Sequence, residues 1–170
     1  MSDLYQKITD SRGLLEKIAS KIPVFGGYME KETRRTADKM LRDAIVTRYS
    51  EQLRRVEDIQ KELIAAGEID VLDDLGTAQT RLQTFVDQVR TAAYGYGGLF
   101  DAVKVDEAAL AKLYAFDNEL LDNVNAIIAA VDSVQSSVGS DGLKAAIANL
   151  TRLAAACNTT FGHRKDVLIS

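Results

Sequence analysis

His163 and Cys157 are the only histidine and the only cysteine in 170 residues, and that scarcity removes most site chemistry at once. A structural zinc site takes four Cys or His ligands, and a di-iron helical-bundle site takes two Glu-x-x-His pairs, so this chain cannot assemble either. Ser-His-Asp catalysis would have to recruit His163, which lies past the last apolar stripe with no recognisable nucleophile beside it. Cys157 falls on the same stripe as Ala154 and Phe161 and therefore reads as a small core residue rather than a reactive thiol. With no second cysteine there is no internal disulfide, which fits a reducing compartment.

The remaining groups are equally spare. Gly95-Tyr96-Gly97-Gly98 has the look of a phosphate-binding loop, but that loop needs Lys-Ser/Thr after its last glycine and a strand before it, whereas Leu99-Phe100-Asp101 follows here. The segment reads instead as a close helix contact or a bend, with a ligand platform of Tyr94, Tyr96 and Phe100 as the alternative. The carboxylates Asp70, Asp73 and Asp74, and again Asp117, Glu119 and Asp122, lack calcium-loop order and its glycine, and read as capping or solvated groups. No metal and no cofactor is expected. Arg34, Arg35, Arg42, Arg48, Arg54 and Arg55 are diluted by Glu30, Glu32, Asp38, Asp43 and Glu51, so they read as an exposed helix face rather than the unbroken basic patch nucleic acid requires. Intrahelical pairs such as Asp38 to Arg42 are the expected use of these charges.

The elements that must position these residues are helices. Apolar residues make up 46% of the chain and charged residues 27%, with a single proline, which is the balance of a soluble helical domain. Leu4, Ile8, Leu15, Ile18 and Ile22 predict an amphipathic N-terminal helix over 3–21. Pro23 and the Gly26-Gly27 pair make 22–28 a joint. Ala37, Leu41, Ala44, Ile45, Tyr49, Leu53, Val56, Ile59, Leu63 and Ala66 predict a long helix that stops at Gly67. A third helix runs from Val71 through Leu75, Leu82 and Phe85. A fourth, from about Asp106, carries Leu110, Leu113, Leu120, Val124, Ile127 and Val131 at coiled-coil spacing. A last helix, capped by Ser140-Asp141, carries Leu143, Ile147, Leu150, Ala154, Cys157 and Phe161. The expected fold is all-α: an elongated antiparallel bundle of four long helices plus a shorter N-terminal helix, in one domain over 1–170 with the four-helix core in 29–170.

Asp117 stands at a heptad position where an apolar residue is missing. If buried it needs a partner, and the expected ones are Arg or Lys of the second helix or the hydroxyl of Tyr94 or Tyr96. On that reading Asp117→Leu raises thermal stability or leaves it unchanged while altering specificity.

The run Ile22-Pro23-Val24-Phe25-Gly26-Gly27-Tyr28, followed by Lys31-Glu32-Thr33-Arg34-Arg35 and Asp38-Lys39-Met40-Leu41-Arg42, resembles a group of uncharacterised bacterial all-helical proteins with an Ile-Pro-x-x-x-Gly-Tyr and Lys-Glu-x-Arg-Arg segment. The resemblance implies a bacterial helical protein. It supplies no activity and carries no catalytic residue over.

The chain therefore reads as a cytoplasmic, non-catalytic interaction or assembly protein acting through protein partners or self-association. Its expected contact residues are Val24, Phe25, Tyr28, Arg34 and Arg35, because apolar groups on a mobile joint are costly to leave exposed. One alternative is a peripheral membrane module that lays 3–22 on an anionic surface. There Lys7, Arg12, Lys17 and Lys21 are nearly balanced by Asp3, Asp10 and Glu16. The other is a small-molecule binder at Tyr94–Phe100. Charge is polarised along the chain, with twelve Lys/Arg against eight Asp/Glu in 1–55 and nine against seventeen in 56–170, an asymmetry that suits oriented assembly.

Overall fold

A computed structural model describes residues 34–102, 107–164 and 166; within them the side chains at 34–40, 93–102, 107–111, 113 and 114 are not described. The described chain forms α1 (Arg34–Ala66), a 3-10 turn (Ile69–Val71), α2 (Leu72–Ala102), α3 (Glu107–Ser136) and α4 (Leu143–Gly162). No strand occurs among the described residues, so the fold is all-α.

Each helix buries the stripe its spacing lays out. On α1, Leu41, Ile45, Tyr49, Leu53, Val56, Ile59 and Leu63 enter one core. Leu75, Ala78, Leu82, Phe85, Val86 and Val89 join it from α2, and Leu120, Val124, Ile127, Val131 and Val134 from α3. The α4 stripe from Leu143 to Cys157 completes it, with Phe161 half-buried. Ala66, at the end of the α1 stripe, is exposed because the helix has by then left the core. At 1.5 Å per residue α1, of 33 residues, is about 50 Å long and α4, of 20, about 30 Å.

α1 packs on α2 and α3, and α4 packs on α2 and α3, so the helices stand around a square in the order α1, α2, α4, α3. Cross-links fix the directions. Tyr49 meets Phe85 and Gln60 meets Gln79, so α1 and α2 are antiparallel. Tyr49 reaches Leu120 and Arg55 reaches Asp132 and Gln135, so α1 and α3 run parallel. Arg81 meets Asn158 and Phe85 meets Phe161, so α2 and α4 run parallel. The antiparallel arrangement holds for sequential pairs α1/α2 and α3/α4, while the other two neighbouring pairs are parallel.

Local chemistry sets the ends. α1 stops at Gly67, whose φ of 76° suits a residue without Cβ; its N–H donates to the Ile64 carbonyl and that of Glu68 to the Leu63 carbonyl, the paired bonds of a Schellman motif. Asp73 and Asp74 occupy the first turn of α2, where its dipole favours negative charge. The threonines on the outer face of α2 (Thr77, Thr80, Thr84 and Thr91) each donate to the carbonyl four residues back. The expected Ser140-Asp141 cap is corrected: the residue before α4 is Gly142, with no side-chain cap, and the Ser140 hydroxyl donates backwards to the Ser137 carbonyl.

Two glycines should respond in opposite directions. A Cβ on Gly67 meets no atom within 4 Å, so Gly67→Ala suffers backbone strain alone and should cost about 1–2 kcal/mol. Gly76 lies inside α2 with equally open space, so Gly76→Ala should gain about 0.5–1 kcal/mol. Urea unfolding of the two variants checks both signs; equal signs would contradict the local account.

Candidate functional site

Val24, Phe25 and Tyr28, the core of the expected contact patch, lie outside the described residues. Arg34 and Arg35 open α1, and their side chains are not described. Tyr94, Tyr96 and Phe100 lie within α2, which continues as helix to Ala102, so the glycine run there is no bend between helices.

The described polar chemistry converges on the bundle interior. Tyr49, at the middle of α1, is fully buried. Its hydroxyl donates to the Leu120 carbonyl on α3 at 3.0 Å and lies 3.8 Å from the Cys157 sulfur on α4. Its ring sits 4.6 Å from that of Phe85 on α2, which in turn meets Phe161 edge-on at 5.9 Å. One side chain thus ties all four helices at one level. Burial pushes the Tyr49 phenol far above its ordinary range, and the neighbouring Cys157 adds to that. Burial also raises the Cys157 thiol, outweighing the hydrogen bond with Tyr49 that opposes it. A thiol held in its protonated form is a poor nucleophile, so Cys157 behaves here as a core group.

Asp117 is 0% exposed, and its carboxylate accepts from Nε and Nη2 of Arg164, both at 2.8 Å, in a two-pronged pair. Arg164, also 0% exposed, follows directly on the end of α4 and rests 6.0 Å from the Phe161 ring. This corrects the expected partner: the described counter-charge comes from the C-terminal end, not from the second helix or a tyrosine. Arg42 is a second correction, being only 7% exposed where an exposed helix face was expected. Of the Asp117, Glu119 and Asp122 group, only Asp117 is buried, so these three carboxylates do not converge.

At the surface, Arg55 bridges α1 to α3 by bonding Asp132, Gln135 at 3.3 Å and Gln52 at 3.0 Å. His163 is exposed and pairs with Asp166 at 3.3 Å. Ile64 and Ile69 are large apolar side chains left 61% and 68% exposed around the α1–α2 turn. Among the described residues no group of three or more His, Cys, Asp or Glu is placed to hold a metal ion, and no described helix is long and apolar enough to cross a membrane. No protein-family model matches this sequence, and neither a curated protein nor a solved structure matches it.

Proposed function

We propose that this chain is a non-catalytic helical-bundle protein that works through protein–protein contacts, by self-association or by docking on another protein in the cytoplasm. The observation that carries this reading is how the reactive side chains are spent. Tyr49, Cys157, Asp117 and Arg164 are turned inward and committed to one another or to backbone. What remains for function is surface. Residues 3–21 form a further amphipathic helix, joined through 22–28 to the bundle within a single domain, and Val24, Phe25, Tyr28, Arg34 and Arg35 make its contact patch.

Equilibrium sedimentation together with affinity capture from the source cell tests this. The expected result is a concentration-dependent oligomer or a stoichiometric co-purifying protein, and a strict monomer with neither would sink the reading. Phe25→Ser should weaken the association about tenfold or more while leaving helicity intact, as loss of an aromatic anchor does. Lost helicity would instead make Phe25 a core residue.

A further inference from the structure

Most described cations are engaged: Arg55 with Asp132, Lys61 with Asp58, Arg90 with Asp87 and Arg164 with Asp117. Arg81, Lys144 and Arg152 take part in no ion pair, and all three border one groove of about 440 Å³ between the parallel helices α2 and α4. Its floor includes Ile147, Ala148 and Ala155, and Asp74 is its one lining carboxylate. Asn158 holds the two walls in register, its amide donating to the Arg81 carbonyl at 2.9 Å. Arg54 and Lys112, also without an ion pair, are not among the residues lining this groove.

The spacing of the charges decides what fits. Lys144 and Arg152 are eight residues apart on α4, about 12 Å along its axis, too far for one small anion to engage both. Three cations beside an aspartate are too few for a nucleic-acid backbone. An acidic helix with small side chains on its contact face meets both conditions, and the chain carries one. Glu119, Asp122, Ala126 and Ala129 fall on one stripe of α3, and all four are exposed. α3 holds five carboxylate residues against one lysine, whereas α4 between Leu143 and Gly162 has two cations and no acid. The alanines on both surfaces allow helix axes to approach closely.

We propose that the α2/α4 groove receives the α3 outer face of a second copy of this chain, with Glu119 and Asp122 against Arg81, Lys144 and Arg152. The inference rests on the reading of the protein as an assembly protein and names one of its surfaces. Because groove and face are different patches, the contact is head-to-tail and propagates into a ring or a filament.

The test is sedimentation of the full chain at low ionic strength and at about 0.5 M salt, where exposed charge pairs are screened. Association that weakens with salt is expected. The triple variant Arg81→Glu, Lys144→Glu, Arg152→Glu should weaken it at least about tenfold, as should Glu119→Lys with Asp122→Lys, and mixing the two variants should restore it. Circular dichroism establishes that each variant keeps its helicity. A wild-type monomer at low salt overturns the proposal, and so does association that survives both reversals. Loss on groove reversal alone assigns the groove to another acidic surface and overturns the role of α3. If association survives both reversals but is lost in Phe25→Ser, the assembly reading stands and only this surface falls. A monomer with no co-purifying protein removes both.

Discussion

Asp117→Leu is expected to lower the unfolding free energy by about 3–5 kcal/mol, because it removes one half of a fully desolvated ion pair and leaves the guanidinium of Arg164 buried. For a chain of this size that corresponds to roughly 6–20 °C in the melting temperature. Arg164→Met should cost a similar amount by stranding the carboxylate. The double variant Asp117→Leu/Arg164→Met should recover most of the loss, since a buried pair replaced whole by apolar groups of like volume is often neutral or stabilising. The cycle is read by thermal and urea unfolding of the four proteins. If the single Asp117→Leu variant melts with wild type, the pair is not desolvated as the fold has it. The sequence-level expectation for this substitution was a gain or no change; the sign reverses because a committed partner with its own charge stays behind.

That partner shows where sequence reading reaches its limit. The apolar stripes on all four helices were legible, and so was the stop at Gly67, because both follow from the 3.6-residue period and from the backbone freedom of one residue. Polar residues at core positions were less so. Arg42 is spaced seven residues from Tyr49, which is seven from Val56 and fourteen from Leu63, so it occupies a core register on α1 although its type suggests the surface. Gln52 stands in the same way between Ile45 and Ile59, and it is 5% exposed. Arg164 prolongs the rhythm of Cys157 and Phe161 by three residues. The spacing signal was present in each case; the side-chain type overrode it.

Pairing was not legible at all. Asp117 and Arg164 are 47 positions apart, and only the placement of α3 beside α4 joins them. Nor does periodicity order helices around a square, and that order, with α2 beside α4, is what creates the basic groove. Of the candidate site, the contact residues Val24, Phe25 and Tyr28 were read from the cost of apolar groups on a joint, and they remain a proposal.

Tyr49→Ala should be the most damaging single change on α1, at about 3–5 kcal/mol, because a large ring with no exposure leaves a cavity that four helices cannot all collapse to fill. Tyr49→Phe keeps the ring against Phe85 and loses only the hydroxyl, which strands a share of the Leu120 carbonyl and should cost about 1–2 kcal/mol. The milder variant isolates a pH effect. In the unfolded chain the phenol ionises near its ordinary value of 10.0 and the thiol near 9.0, while burial holds both protonated in the fold. Above those values the unfolded state has released protons that the folded state keeps, so rising pH favours unfolding. Stability from these two groups is therefore complete below about pH 9 and falls above it, by up to about 1.4 kcal/mol per pH unit for each group once its unfolded value is passed. Urea unfolding between about pH 8 and 11 should show a shallower decline in Tyr49→Phe than in wild type, the difference opening above pH 10. It should be shallower again when Cys157→Ala is added, from about pH 9 upward. Parallel pH profiles for wild type and Tyr49→Phe would mean the phenol reaches water without unfolding, and the central tie between the four helices would then be open.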